Sequence, residues 1–262
     1  MPEIVNVVLL GVIEGITEFL PISSTGHLLI AEQWLGQRSD LFNIMIQAGA
    51  ILAVTLVYRK RLLDLVIGLH RSGNLSYVSK LLAAFSITAV LGLIAKKAGL
   101  SLPTTLAPVA WALVVGGVWI LAAERWLLRQ QPQSNITWAA VVAVGVAQVV
   151  AGIFPGTSRS AASIFVAIFA GTSDRSMATE FAFLVCIPTM YAASAYELYD
   201  RSKVGFAEED FGMLALAFIV STGVAFVAVK WLLSFIRNHT FRVFAYYRII
   251  LGALLLALSA AT

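Results

Sequence analysis

The chain has 262 residues, of which 60% are hydrophobic and only 12% charged, and its mean hydropathy is +0.88. Soluble domains are about one-quarter charged, so a water-soluble enzyme or nucleic-acid-binding domain is excluded, and the chain reads as an integral membrane protein. The formal net charge of +4 comes from basic residues flanking apolar runs, which points to membrane topology rather than to a polyanionic partner.

In chain order, the opening residues MPEIVNVV contain a glutamate and no basic stretch, so no signal peptide is expected. Residues 4–34 form an apolar stretch broken at Pro21. Apolar runs at 42–58, 78–95 and 105–123 follow, with a short amphipathic piece at 62–69 expected to lie along the membrane interface. A second broken stretch, 137–171, is interrupted by Pro155. Runs at 179–199, 210–233 and 243–261 complete the chain. The six unbroken runs are long enough to be transmembrane helices, for which about 20 residues suffice. The halves of the two broken stretches, at about 15–22 Å each, are too short to cross about 30 Å of hydrocarbon. They are expected to be re-entrant helical hairpins. Cys186 is the one cysteine and lies in an apolar run, so no internal disulfide can form.

The two broken stretches resemble each other. Gly11 to Ile30 reads GVIEGITEFLPISSTGHLLI, and Gly145 to Ile164 reads GVAQVVAGIFPGTSRSAASI. An offset of 134 pairs Gly11 with Gly145, Pro21 with Pro155 and Ser24 with Ser158. Three spans follow each hairpin, so the second hairpin enters from the opposite face. The expected fold is therefore an all-α polytopic membrane protein, six transmembrane helices plus two broken re-entrant hairpins, arranged as an inverted-topology repeat in one domain with halves near 1–125 and 135–262. Arg38, Lys96, Lys97, Arg201 and Lys203 fall on the side holding both termini. The other side holds Arg59, Lys60, Arg61, Arg71, Lys80, Arg125, Arg129, Arg175, Lys230, Arg237 and Arg242. The positive-inside rule assigns this richer set to the cytoplasm. Both termini and the mouth of the first hairpin are then expected on the outer face. Arg248, near the start of the last span, is expected to snorkel. Gln47, Glu180 and Glu197 are expected to serve helix packing. Trp34, Trp126, Trp138 and Trp231 fit interfacial anchoring.

Glu14 and Glu18 lie four apart, on one face of a helix. Two carboxylates at membrane depth cost roughly 2.5–3.5 kcal/mol each and need a cation, an arginine or a proton. They are candidates for a divalent-metal or acid–base site. Pro21-Ile22-Ser23-Ser24-Thr25-Gly26-His27 reads first as a helix N-cap. A buried helix N-terminus also suits phosphate, and Ser24 with His27 three residues on can share a face as a hydroxyl and its base. The second tip, Pro155-Gly156-Thr157-Ser158-Arg159-Ser160, repeats the cap and adds a guanidinium whose planar fork matches phosphate oxygens. A structural ion pair of Arg159 with Glu14 or Glu18 is the competing reading. Phosphates are expected against Ser23, Thr25 and Gly26 in the first tip, and against Gly156, Thr157 and Ser160 in the second.

At these residues the chain resembles the bacterial undecaprenyl-pyrophosphate phosphatase family, also called the bacitracin-resistance proteins. The family's Glu-x3-Glu leading into PxSSTGH is matched by Glu14 to His27, and its PGxSRSxxT by Pro155 to Ser163. Ser163 stands where the family usually has Thr, and Ala161 where Gly is common. The resemblance implies removal of the terminal phosphate of undecaprenyl pyrophosphate, recycling the lipid carrier of cell-wall synthesis and giving bacitracin resistance. It implies active-site roles for Glu14, Glu18, Ser24, His27 and Arg159, and phosphate contacts from Ser158 and Ser163. It also implies a divalent cation, Mg²⁺ or Ca²⁺, held by Glu14 and Glu18. The expected setting is the bacterial inner membrane, with lipids as neighbours, no nucleic acid, and a homodimer left open. The type-2 phosphatidic-acid phosphatase pattern, a PSGH motif with a later S-R-x5-H, does not fit: five residues past Arg159 end at Ile164, and the next position holds Phe165 in place of its histidine. The alternative function is a polyprenyl-phosphate flippase, since inverted repeats with broken helices are also a transporter architecture.

Overall fold

A computed structural model describes residues 2–100, 105–131, 133–203, 205 and 209–261. The described residues form eleven α-helices and no strands. Six are long and apolar enough to cross a membrane: α3 (Asp40–Val57), α5 (Ser72–Lys97), α6 (Leu106–Leu127), α9 (Arg175–Ser202), α10 (Phe211–Asn238) and α11 (Arg242–Ala261). The protein is therefore a multi-pass membrane protein. Several of these helices overrun the apolar runs read from sequence because polar residues cap them beyond the hydrocarbon stretch. Ser39, Asp174 and Asp210 each accept backbone N–H bonds at the start of α3, α9 and α10. The 62–69 piece is part of a short helix, α4 (Arg59–Ile67), which buries Leu65 and leaves Leu63, Val66 and Ile67 exposed.

Each broken stretch is a pair of short helices. α1 (Glu3–Thr17) and α2 (Ser24–Leu35) flank the first break, and α7 (Trp138–Ile153) and α8 (Arg159–Phe169) the second. The two breaks end alike. Ser23 caps α2 and accepts a bond from the Gly26 N–H at 3.3 Å, while Ser158 caps α8 and accepts from the Ala161 N–H at 3.2 Å. Both serines have φ in the left-handed region, 74° and 68°, and they are the only described non-glycine residues that do. That conformation costs about 1–3 kcal/mol and persists where the surroundings fix it, commonly at functional sites. The caps correct the register read from sequence: Ser158 corresponds to Ser23, not to Ser24. The second tip has one more residue between its proline and its cap, so Arg159 occupies the helical position that Ser24 holds in the first.

Close helix packing uses glycine. α10 lies against α1 and α3, where a Cβ on Gly15 would sit 2.8 Å from the Ser221 carbonyl oxygen, and one on Gly49 2.6 Å from that of Phe218. Small residues that admit a neighbouring backbone are the usual means of helix association in lipid. Extensive contacts also join α6 to α11 and α5 to α7.

Polar contacts gather at two rims. One contains Arg38–Glu3 at 3.0 Å, Ser39–Glu209 at 2.9 Å and Arg201–Glu209 at 3.6 Å. The other contains Arg61–Glu180 at 2.9 Å, the Lys80 ammonium on the Ile136 carbonyl at 2.6 Å, and Arg175 on Glu124 at 2.6 Å. Residues that parity assigned to the same side of the membrane thus meet. Glu180 has the structural role expected of it.

Candidate active site

The two breaks touch. The Ser160 hydroxyl, in the first turn of α8, donates to the Leu20 carbonyl of the first break at 3.0 Å. Between the tips lies a small polar cavity of ≈ 20 Å³, room for a water-sized group. The first tip contributes Glu18, Ser23, Ser24 and Thr25 to its wall; the second contributes Gly156, Ser158 and Arg159. Gln47 of α3 completes the polar lining, which corrects its assignment to helix packing.

Inside this cavity the Ser24 hydroxyl donates a hydrogen bond to Glu18 Oε2. Glu18 follows the last turn of α1, and Ser24 opens α2, so the break itself brings them together. Glu14, one turn earlier, is wholly buried; its carboxyl faces that of Glu18, and no other donor reaches its oxygens. Arg159 forms no ion pair with Glu14 or Glu18, nor with any other carboxylate among the described residues. The expected competing role, a structural ion pair, is therefore not the arrangement found.

The remaining candidates are placed differently. His27 does not line the cavity. Its Nδ1 is 2.6 Å from the Ser23 carbonyl and its Nε2 2.6 Å from the Tyr247 hydroxyl. The expected Ser24–His27 pair is thus replaced by Ser24–Glu18, because the left-handed Ser23 turns the start of α2 toward the end of α1. Glu14, Gly26, Thr157, Ser160 and Ser163 also lie outside the cavity lining. The Gly26 N–H is bonded by the cap, and the Ser160 hydroxyl by Leu20. Ser163 is buried with an unpartnered hydroxyl. Gly156 has φ of +91°, and a Cβ there would lie 2.7 Å from the Val109 carbonyl oxygen, so the tip packs on α6 only with glycine at this position.

A second, larger space adjoins the first. A groove of ≈ 710 Å³ runs between α5, α7 and α9, walled largely by apolar residues such as Phe85, Leu93, Val149 and Ile153. At one end are Lys96 and Glu197, near the C-termini of α5 and α9, where the Lys96 ammonium lies 3.9 Å from the centre of the Tyr196 ring. Glu197 therefore faces the groove instead of serving only helix packing. Arg159 lines this groove as well as the polar cavity. Gln148 also lines it, buried, with both side-chain polar atoms unpartnered. Its position was legible in the repeat, where the offset of 134 pairs it with Glu14.

Arg248 corrects another expectation. It does not snorkel to the interface; it is fully buried and its guanidinium bonds only to backbone carbonyls. Depth along a span does not reveal which way a side chain faces, so sequence alone did not place it.

Six spans enclosing a carboxylate, a serine and an arginine at the meeting point of two broken helices define a polytopic membrane protein with a buried polar reaction chamber. The family profile described as "Bacitracin resistance protein BacA" matches residues 7–254, and the chain belongs to that family. It is 62% identical to a Rhizobium etli protein named "Undecaprenyl-diphosphatase" over 259 residues, covering 98% of both chains. A Xanthomonas oryzae pv. oryzae protein of the same name is 58% identical over 257 residues, covering 98% of this chain and 97% of its own.

Proposed function

We propose that the protein is an undecaprenyl-diphosphatase, a membrane phosphatase that converts undecaprenyl pyrophosphate to undecaprenyl phosphate and inorganic phosphate. The observation that carries this reading is the double placement of Arg159. It borders the polar cavity holding Ser24 and Glu18, and it borders an apolar groove of ≈ 710 Å³. A lipid pyrophosphate needs both environments at once. Its isoprenoid tail would begin in the groove and continue into the bilayer, and its terminal phosphoryl group would reach the mouth of the cavity, which has room for about one of its oxygens.

The chain's own groups suit phosphoryl transfer, where positioning and electrostatics dominate. The Ser24 oxygen attacks the terminal phosphorus as its proton passes to Glu18 Oε2. The bond from phosphorus to the bridging oxygen then breaks, releasing undecaprenyl phosphate, and water hydrolyses the phosphoserine. Arg159 offers its fork to the non-bridging oxygens, and the N-termini of α2 and α8 direct their dipoles at the same charge. His27, bonded to Ser23 and Tyr247, supports the tip that carries Ser24. Direct attack by water, with Glu18 as base, uses the same cavity.

A divalent cation fits this site. A buried Glu14 carboxylate that faces the Glu18 carboxyl, with no other donor on its oxygens, calls for a cation or a proton. Glu14 and Glu18 would hold the ion. No cluster of three or more His, Cys, Asp or Glu side chains suited to a metal occurs among the described residues. The other ligands would then be water and substrate phosphate oxygens, the usual mode for Mg²⁺. When bound, the ion supplies positive charge against the phosphates.

The helix pairs α1–α2 and α7–α8 read as re-entrant hairpins entering from opposite faces, with halves near 1–125 and 135–262. Supporting this, α1 packs on α10 as α7 packs on α5, and both tips have the same strained cap. The groove ends at Lys96 and Glu197, on the rim assigned to the outer face by the distribution of basic residues. That orientation, in the bacterial inner membrane, opens the site toward the leaflet where the substrate is released.

The test is phosphate release from undecaprenyl pyrophosphate by the purified protein in detergent with Mg²⁺ or Ca²⁺. Release at catalytic turnover supports the reading. No release, combined with movement of labelled undecaprenyl phosphate across vesicles containing the protein, would replace it with a flippase.

A further inference from the structure

We infer that Arg248 is a positioning residue that holds the two tips at the spacing needed for reaction. The guanidinium stands between the breaks and touches both. Its Nη1 donates to the Pro21 carbonyl of the first tip at 3.2 Å. Its Nη2 donates to the Gly156 and Thr157 carbonyls of the second, at 2.9 and 3.1 Å. Nη2 also reaches the Ala112 carbonyl at 3.0 Å, and Nε the Leu113 carbonyl at 3.4 Å, so the clamp is anchored on α6. Arg248 is fully buried and forms no ion pair among the described residues.

The chemistry explains why an arginine is needed. Breaking a helix inside a membrane leaves carbonyl groups without N–H partners, and no water is at hand to satisfy them. The carbonyls that Arg248 reaches in the tips, those of Pro21, Gly156 and Thr157, belong to the turns that follow the C-termini of α1 and α7. One planar cation with five donors serves both. The N-termini of α2 and α8 are left to face the cavity. Lysine, a compact ammonium with three donors, cannot span the two tips and α6 in one plane.

The fold makes room for this clamp. Gly116 of α6 lies against it, and a Cβ there would overlap Nη2. Gly116→Ala therefore displaces the guanidinium while retaining its charge. Arg248 reaches backbone carbonyls only, so its effect on phosphoryl transfer runs through the positions of Ser24 and Arg159. Misplacing reacting groups by about 1 Å can cost on the order of 10²-fold in rate.

This inference rests on the phosphatase reading for its kinetic arm, and a second arm is independent of it. Arg248→Met, Arg248→Lys and Gly116→Ala are compared with the parent protein in detergent, using undecaprenyl pyrophosphate and Mg²⁺. The expected result is a loss in kcat of roughly 50-fold or more with KM changed by less than about threefold. Hydrogen exchange followed by mass spectrometry should show faster exchange confined to peptides spanning residues 18–24 and 154–159. The inference is overturned if kcat stays within about threefold of the parent in Gly116→Ala and Arg248→Met. It is equally overturned if the loss falls on KM alone, which would make Arg248 a substrate ligand, or if protection falls evenly through all helices. If Arg248→Met does not fold, Arg248→Lys and Gly116→Ala carry the test. If the parent protein releases no phosphate, the functional reading fails, and exchange at the tips still decides the role of Arg248.

Discussion

The Tyr247 hydroxyl lies 2.6 Å from His27 Nε2, and the two rings stack with 5.6 Å between their centres. The other ring nitrogen faces the Ser23 carbonyl at 2.6 Å. A carbonyl only accepts, so Nδ1 holds the proton and Nε2 accepts from Tyr247. In this arrangement His27 has no nitrogen left to take a proton from Ser24. Tyr247→Phe retains the stack and removes one hydrogen bond, worth about 1 kcal/mol, so kcat/KM should fall roughly fivefold. A steady-state phosphate-release assay checks this, and a loss beyond about 100-fold would instead give Tyr247 a part in proton transfer.

Glu18 is the group placed to accept the Ser24 proton. Glu18→Gln keeps the size and an acceptor oxygen but removes the basicity. General-base catalysis contributes about 10²–10⁴-fold, and kcat should fall within that range while the thermal midpoint stays near that of the parent. Trapping with labelled substrate, followed by peptide mapping, should place phosphate on Ser24. A labelled His27 would assign the nucleophile there instead, and Ser24→Ala with near-parental turnover would remove serine from the mechanism.

Arg159→Lys keeps the charge and loses the fork. Arg159 has no carboxylate holding it in place, so its partner in the working enzyme is expected to be the substrate. The substitution should lower kcat/KM by about 100-fold or more, because a point charge cannot match two phosphate oxygens in one plane. Initial-rate measurements across substrate concentrations decide the matter, and turnover near that of the parent would refute phosphate binding by this side chain.

The six spans were legible because each is a long apolar run, and the breaks were legible because Pro21 and Pro155 interrupt such runs. The detail of the tips was less so. Aligning the prolines paired Ser24 with Ser158, yet the caps are Ser23 and Ser158, because one extra residue lies in the second turn. Backbone conformation at the cap, which only the fold reveals, decides that Ser24 meets Glu18 and that His27 turns toward Tyr247. Arg248 lies near the start of its span, a position that suits snorkelling and burial equally well. Its burial follows from the gap left by Gly116 on a helix more than a hundred residues earlier.

The contact between α3 and α10 should be a stability determinant away from the chemistry. A Cβ on Gly49 would lie 2.6 Å from the Phe218 carbonyl oxygen and 3.0 Å from Thr222 Oγ1. Gly49→Val forces the helices apart, and overpacking of this kind costs typically 1–3 kcal/mol. The detergent-solubilised variant should melt several degrees lower, by fluorescence-detected thermal unfolding. A midpoint equal to that of the parent would show that the interface yields without cost.

Glu14 is the remaining carboxylate, and its surroundings allow two states. A buried carboxyl that faces a second one is either protonated, sharing the proton with Glu18, or bound to a cation, since an isolated anion there is prohibitively costly. Glu14→Gln mimics the protonated state in shape and removes the negative charge. If a cation is the partner, the variant should need a Mg²⁺ or Ca²⁺ concentration at least about tenfold higher for half-maximal activity, and chelation should silence the parent protein reversibly. If protonated Glu14 only fills space, Glu14→Gln will leave the metal dependence unchanged. The two outcomes separate on a titration of activity against metal at fixed substrate. The cation reading is favoured because Glu18 stands one turn away and itself accepts from Ser24, so an ion between the carboxylates would sit next to the oxygen that attacks.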